Sequence, residues 1–215
     1  MFYWLCWILA FLPLRLFWPT KFIGKKNIPK KQRAILACNH SSNMDVVIIN
    51  SRLVPNPYVL AKHTLFKHKL TGAILKSWRA IPVNRGNVEL SSMKKVFSIL
   101  KKEQKLLIFP QGTRKEEQDD LNSVKSGLAM FSLKTNSPIV PMWFVKKPKA
   151  FRRNVLLIGK PFYLEGFEGK KLTQEVLEEA SNIVVKKMFE LRDDYVKQQE
   201  EKRQAKLERK TKNKK

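Results

Sequence analysis

Between Arg33 and Tyr195, short apolar runs alternate with longer segments of mixed character, and this alternation limits the folds that the chain can adopt. The runs RAILAC (33–38) and KLLIF (105–109) have the length and the apolar content of buried strands. The segment 87–102 instead repeats apolar residues every three or four positions, which is the period of a helix. Such alternation predicts an α/β domain with a largely parallel central sheet flanked by helices.

The same patterns predict where the remaining elements lie. Strands are expected at 33–38, 57–62, 79–83, 105–109, 138–145 and 154–162. Helices are expected at 45–53, 64–78, 87–102, 121–135 and 172–195, with Asp45 as the N-cap of the first. Ligand sites in such sheets lie beyond the carboxyl ends of the strands, so the polar residues that follow each strand are the candidates for function.

Residues 1–24 are strongly apolar and dense in aromatic side chains. Pro13 and Arg15 interrupt this stretch after about a dozen residues, whereas crossing a bilayer takes about 20. We therefore expect an N-terminal hydrophobic, membrane-anchoring helical segment, single or kinked, that inserts into one leaflet. An ordinary buried first helix is the alternative.

Basic residues follow this anchor directly, and each contributes about 1 kcal/mol of attraction near an anionic membrane surface. They are Lys21, Lys25, Lys26, Lys30, Lys31 and Arg33. An apolar insertion together with a basic stretch provides two attachment signals, which is enough for stable binding. We expect a monotopic protein on the cell membrane, with its active domain on the cytoplasmic face.

The whole chain carries 43 Lys and Arg against 18 Asp and Glu, a formal charge of +25. This favours a polyanionic partner such as an anionic membrane surface, a phosphorylated small molecule or nucleic acid. A non-enzymatic nucleic-acid binder is the less favoured alternative, because the aromatic residues concentrate at the N-terminus instead of alternating with the basic ones. Residues 25–195 are expected to form the domain, and 196–215 a basic, solvated helix that frays into a tail.

The motif NHSSNMD follows the first predicted strand and contains His40 and Asp45. In a continuous helix this five-residue spacing turns about 500°, so the two side chains would diverge. They meet only if His40 lies in the turn and Asp45 begins the helix. Asp45 would then fix the imidazole tautomer and leave the other ring nitrogen as a general base. On spacing alone, a capping aspartate beside an unrelated surface histidine is an equal alternative.

Cys6 and Cys38 form no CxxC pair, so a disulfide framework is not expected and a reducing compartment is favoured. Cys38 lies next to the motif. We expect it to close a buried strand, and a covalent acyl-cysteine is the alternative.

Two further polar clusters follow predicted strands. They offer Arg85 in IPVNRG, and Gln111, Gly112, Thr113 and Arg114 in FPQGTR. A glycine lets the backbone approach a ligand closely, and a hydroxyl with a planar guanidinium suits a phosphate. Taken singly, a solvated arginine and a plain turn would explain them. Three polar clusters at similar positions on one sheet favour a binding site.

In order and spacing, NHSSNMD, IPVNRG, FPQGTR and IVPMWF resemble the four sequence blocks of the glycerolipid acyltransferases. The chain is most similar to the 1-acyl-sn-glycerol-3-phosphate acyltransferases, over roughly residues 28–162. An HX4D motif is common by chance, but HX4D about seventy residues before FPxGTR, with an arginine between them and a VP strand after them, is specific. The family's glutamate in the third block is replaced here by Gln111.

The resemblance implies acyl transfer from an acyl thioester to the sn-2 hydroxyl of 1-acyl-glycerol 3-phosphate, giving phosphatidic acid. The donor would be acyl-CoA or acyl carrier protein, and no cofactor or metal is implied. His40 and Asp45 would be catalytic. The acceptor-binding residues would be Arg85, Gln111, Gly112, Thr113 and Arg114. Alternatives are an acceptor such as glycerol 3-phosphate or another lysophospholipid, and a membrane-bound scaffold that has lost activity because of Gln111.

Overall fold

Seven strands form one sheet within residues 13–83, 90–110 and 126–212, which are the residues that the computed structural model describes. The strands are β1 (Thr20–Ile23), β2 (Ala34–Cys38), β3 (Tyr58–Lys62), β4 (Ala80–Val83), β5 (Lys105–Ile108), β6 (Ile139–Phe144) and β7 (Asn154–Ile158). Their order across the sheet is β1-β7-β6-β2-β5-β3-β4.

Besides helical residues at 13–17, the described ranges contain the helices α1 (Met44–Arg52), α2 (Lys69–Ser77), α3 (Leu90–Lys101), α4 (Gly127–Thr135) and α5 (Gln174–Lys212). Two short 3-10 helices, Lys25–Asn27 and His63–Phe66, precede β2 and α2. Helices on both faces bury the central strand β2 completely, which explains why its sequence is apolar without alternation.

The side chains of β2 divide between two apolar clusters, as the alternating geometry of a strand requires. Ile35 and Ala37 pack in the cluster that includes residues of α3, α4 and α5, while Leu36 and Cys38 pack in the cluster that includes Ile48 and Ile49 of α1. Both clusters fix the direction of β2, and therefore the position of the motif that follows it.

Strands β2, β3, β4, β5 and β6 run parallel, so their carboxyl ends share one edge of the sheet. Strand β7 is antiparallel to β6, and β1 is parallel to β7. The prediction of a largely parallel sheet flanked by helices is confirmed. All six predicted strands are present, and β1 is a strand that the sequence patterns did not predict.

The single helix predicted over 64–78 is wrong, because the chain forms a 3-10 turn at His63–Phe66 and then α2. His68 between them is extended, with φ −84° and ψ 127°. At Gly72 of α2, an added Cβ would stand 3.0 Å from the carbonyl oxygen of Phe66. The glycine therefore lets the two turns pack closely, a tertiary contact that the 3.6-residue period does not reveal.

Of the helical anchor predicted over 1–24, residues 1–12 lie outside the described residues. Within the described part it is helical at 13–17 and then forms strand β1, which gains its backbone partners by pairing with β7. None of the helices in the described ranges is both long and apolar enough to cross a bilayer. At the other end, α5 continues past residue 195 to Lys212, and its exposed last turns agree with the expectation of a solvated helix there.

Candidate active site

His40 and Asp45 are in contact at the carboxyl edge of the sheet, in the turn between β2 and α1. The His40 Nδ1 and Asp45 Oδ2 atoms are 3.0 Å apart, and both side chains are buried. A carboxylate oxygen only accepts hydrogen bonds, so Nδ1 carries the proton and Nε2 carries the lone pair of the neutral ring. The carboxylate therefore fixes the tautomer and the orientation of the imidazole.

Asp45 binds the backbone of the turn in addition to the side chain of His40. Its Oδ2 atom accepts the backbone N–H of Ser41 at 2.7 Å and that of Ser42 at 2.8 Å. The prediction that Asp45 is the N-cap of the helix was wrong, because the N-cap is Asn43 and Asp45 lies inside the first turn. From that position its side chain reaches back over the preceding loop, and one carboxylate oxygen organises three donors.

Asn39 fixes the loop to the neighbouring strand β6. Its Oδ1 accepts the N–H of Phe144 at 2.7 Å, and its Nδ2 donates to the carbonyl of the same residue at 3.1 Å. The side-chain amide thus pairs with the backbone as another strand residue would. Asn39 is 1% exposed, and the sequence analysis did not select it. A polar side chain directly between a buried strand and a histidine was the signal that could have identified it.

Phe109 packs against the imidazole from the position directly after β5, the strand on the other side of β2. The two ring centroids are 4.1 Å apart, and the planes are inclined by 27°. This stacking restricts rotation of the His40 ring. Phe109 was also missed as a site residue, although its place directly after β5 in FPQGTR puts it at the edge that carries the motif.

Cys38, at the end of β2, is a buried free thiol. Burial, and then the negative charge of Asp45, raises the pKa of Cys38 well above its ordinary value of 9.0. Since the thiolate is the nucleophilic form, this environment disfavours the acyl-cysteine alternative. The prediction that Cys38 closes a buried strand is confirmed.

The predicted substrate-binding residues Arg85, Gln111, Gly112, Thr113 and Arg114 lie outside the described residues. The strands that precede them end at the same edge as β2, β4 at Val83 and β5 at Ile108. Strand β5 is the direct neighbour of β2, and β4 is three strands away, or about 14 Å at the usual strand spacing. Within the described ranges, no group of three or more His, Cys, Asp or Glu side chains could hold a metal ion.

Residues 19–145, more than half of the chain, match a family model described as Acyltransferase. The chain belongs to the acyltransferase family. The match includes the strands β1 to β6 and the His40–Asp45 pair, so the matched region contains the site described above.

Two bacterial proteins with the same name are similar to this chain in sequence. The chain is 31% identical to the 1-acyl-sn-glycerol-3-phosphate acyltransferase of Bacillus subtilis (strain 168) over 154 residues, which are 69% of this chain and 76% of the relative. It is 29% identical to the 1-acyl-sn-glycerol-3-phosphate acyltransferase of Borreliella burgdorferi over 135 residues. That second match covers 62% of this chain and 54% of the relative.

A solved structure supports the fold of this acyltransferase family member. The crystal structure of the 1-acyl-sn-glycerophosphate (LPA) acyltransferase PlsC from Thermotoga maritima is similar with a TM-score of 0.60. The match covers 85% of this chain and 76% of that chain at 24% sequence identity. The largely parallel sheet with flanking helices is therefore a known architecture.

Proposed function

We propose that this chain transfers a fatty acyl group from an acyl thioester to the sn-2 hydroxyl of 1-acyl-glycerol 3-phosphate, giving phosphatidic acid. The relatives named above support the reaction class. The observation that carries the proposal is the 3.0 Å contact between His40 Nδ1 and Asp45 Oδ2, because it orients Nε2 as a base at the edge of the sheet where α/β proteins bind ligands.

In the proposed step, Nε2 of His40 removes the proton from the acceptor hydroxyl as its oxygen attacks the thioester carbonyl carbon. A carbon–oxygen bond forms and the carbon–sulfur bond breaks. The leaving thiolate takes the proton back from the imidazolium. Asp45 stabilises the imidazolium through the hydrogen bond to Nδ1, while Asn39 and Phe109 keep the ring in place.

The acceptor's phosphate would be bound by Arg85 and Arg114, with Gln111, Gly112 and Thr113. Guanidinium groups bind phosphate oxygens in a bidentate manner, and backbone near a glycine can approach an anion closely. Acyl-CoA and acyl carrier protein are both candidate donors, since each presents the acyl group as a thioester. No cofactor is required by this chemistry.

Gln111 replaces the glutamate expected from the resemblance. Whether the chain is an active enzyme or a scaffold depends on the effect of this replacement. Glutamine keeps the length and one acceptor but loses the charge. Because the His40–Asp45 pair is assembled, we infer that the chain is active with Gln111. Gln111→Glu tests this inference: activity that appears only in the variant would indicate a scaffold.

We further propose that the chain attaches to the cell membrane from one side, with the domain on the cytoplasmic face. Apolar side chains are exposed beside the first strand, with Leu16 at 71%, Phe17 at 44% and Phe151 at 73% exposure. The Phe17 and Phe151 rings pack together with centroids 5.0 Å apart. Such exposed aromatic and aliphatic side chains, next to a basic sequence, suit insertion into a membrane interface.

The test is acyl transfer by the purified full chain in detergent, with lysophosphatidate, glycerol 3-phosphate and another lysophospholipid offered separately, and with both thioester donors. His40→Ala should lower kcat by roughly 10²–10⁴-fold, the usual contribution of a general base. His63→Ala removes an exposed imidazole and serves as the matched control. Undiminished turnover by His40→Ala would disprove the mechanism, and preference for another acceptor would correct the substrate.

A further inference from the structure

A cationic cavity lies at the end of α1 opposite to the His40–Asp45 pair. Its volume is about 230 Å³, and its lining residues are Arg15, Thr20, Phe22, Lys25 and Arg52. A water molecule needs roughly 10–15 Å³ on this measure, so the cavity has room for a larger group. Asp45 and Arg52 are seven residues apart on α1, or about 10 Å along the helix axis, so this cavity is separate from the candidate active site.

The three cations of the cavity are held by backbone carbonyl groups. Arg15 donates from Nε and Nη2 to the carbonyl of Ser51, at 3.2 and 2.6 Å. Arg52 donates from Nη2 to the carbonyl of Trp18 at 3.2 Å, and Lys25 donates from Nζ to the carbonyl of Arg52 at 2.9 Å. These bonds orient the side chains around the cavity.

Three positive charges meet at this place. The C-terminus of a helix carries about half a negative charge, whereas Arg15, Lys25 and Arg52 together carry three positive ones. Among the described residues that line the cavity, none is acidic. Burial, followed by repulsion from Arg15, lowers the pKa of Arg52 from its ordinary value. The guanidinium groups therefore repel one another in the absence of an anion.

Exposed apolar side chains border the cavity. Leu16 and Phe17 directly follow Arg15 in the sequence, and Phe151 donates its backbone N–H to the carbonyl of Phe17 at 2.6 Å. The cavity thus combines three cations with an apolar surface at its rim. A free phosphate would use only the cations, whereas a phospholipid would use both, with its phosphate in the cavity and its acyl chains on the exposed side chains.

We propose that the cavity lined by Arg15, Lys25 and Arg52 binds the phosphate group of an anionic phospholipid and so docks the protein at a defined orientation on the membrane. The proposal rests on the membrane attachment proposed above and not on the acyl-transfer reaction. Vesicle binding measured without either substrate therefore tests it independently of catalysis.

The first experiment compares Lys25→Gln with Lys26→Gln in the full chain. Both lysines are exposed and lie in the same 3-10 helix, but only Lys25 lines the cavity. On vesicles of phosphatidylglycerol and phosphatidylcholine, Lys25→Gln should bind about fivefold more weakly, and Lys26→Gln less than about twofold. Equal losses would show a diffuse basic surface and overturn the proposal.

The second experiment compares the double variant Lys25→Gln/Arg52→Gln with Lys21→Gln/Lys26→Gln, which removes the same charge from exposed positions that do not line the cavity. The cavity variant should lose about 30-fold in binding to the anionic vesicles, and the control much less. Binding to pure phosphatidylcholine should be the same for both. A similar loss on neutral vesicles, with a lowered Tm, would mean that these residues only support the fold.

Inorganic phosphate distinguishes the two sources of the anion. If the lipid headgroup is the ligand, phosphate should raise the Tm of the wild type only slightly, and the cavity variant should lose vesicle binding. If the cavity variant binds vesicles like the wild type but loses a large phosphate-dependent rise in Tm, the ligand is a free phosphate and the lipid assignment is wrong.

Discussion

The two ends of helix α1 present opposite electrostatic situations. At its N-terminus, the buried Asp45 carboxylate is bound by the His40 ring and by two backbone N–H groups. At its C-terminus, Arg15, Lys25 and Arg52 surround a cavity and donate to neutral backbone carbonyls. The first end contains a charge whose partners come from the chain itself. The second brings three positive charges to one cavity, whose described lining residues include no acid.

The difference shows how one helix can serve two purposes. A charge with internal partners gives a side chain a fixed orientation, which a catalytic base needs before the substrate arrives. A surplus of charge in an open cavity instead attracts a ligand of opposite sign. A docked headgroup at one end of α1 would hold the other end, and its histidine, at a constant distance from the membrane where lipid substrates lie.

The largest effect is expected from removing the negative charge of Asp45 at the N-terminal end of α1. Asp45→Asn should lower kcat by roughly 10²–10⁴-fold, because an amide can present an N–H to Nδ1 and stabilise the wrong tautomer. The measurement is steady-state acyl transfer to lysophosphatidate. Asp194→Asn makes the same substitution at an exposed position of α5 and should leave kcat unchanged. Equal activity of Asp45→Asn and wild type would show that this end of α1 is not catalytic.

The second-largest effect is expected from removing Asn39, which anchors the loop before α1 to strand β6. Asn39→Ala leaves the N–H and the carbonyl of Phe144 without their side-chain partner, at a cost of roughly 1–3 kcal/mol for each buried group. We expect a lower free energy of unfolding, measured in denaturant, together with reduced kcat. Asn182→Ala, at an exposed helical position, is the control. A change in stability no larger than that of the control would mean that the loop does not depend on this clamp.

A smaller effect should follow from loosening the histidine ring. Phe109→Leu removes the stacked partner of His40, an interaction worth about 0.5–1.5 kcal/mol. We expect kcat to fall by up to about tenfold with little change in KM, and Phe109→Tyr, which keeps the ring, to restore most of it. If the tyrosine and leucine variants are equally impaired, the ring stacking is not the reason for the loss.

The smallest effect is expected at Cys38, which lies beside the site but takes no part in the proposed chemistry. Cys38→Ala should keep kcat within about twofold, whereas an acyl-cysteine mechanism would require its complete loss.

Cys38→Ala should also change how the stability of the protein depends on pH. The pKa of Cys38 is raised in the folded protein, so its contribution to stability is fully present below the ordinary thiol value of 9.0 and is lost as the pH rises above it. Thermal melts between pH 8 and pH 10, about one unit on each side of that value, should show a steeper loss of stability in the wild type than in Cys38→Ala. Parallel slopes would show that the thiol ionises equally in both states.

Local patterns in the sequence were sufficient for much of the fold and for the centre of the site. The strands β2 to β7 follow from short apolar runs, and the parallel sheet follows from their alternation with helices. His40 and Asp45 are five residues apart, so the condition under which they meet could be worked out from helix geometry, while the spacing alone left an unrelated surface histidine equally open. The predicted N-cap was misplaced by two positions, from Asn43 to Asp45, since a capping residue and a first-turn residue look alike in sequence.

Local sequence patterns could not predict contacts between residues that are far apart in the chain. Asn39 meets Phe144 across 105 positions, Arg15 reaches Ser51 across 36, and β1 becomes a strand because it pairs with β7. Each of these depends on which strands lie side by side, and a window of neighbouring residues contains no information about that. The sequence by itself determined most of the elements and the candidate His40–Asp45 pair, because both arise from interactions along a few residues. Only the tertiary structure decided how the histidine is held and where the cations gather, because burial and strand order bring those groups together.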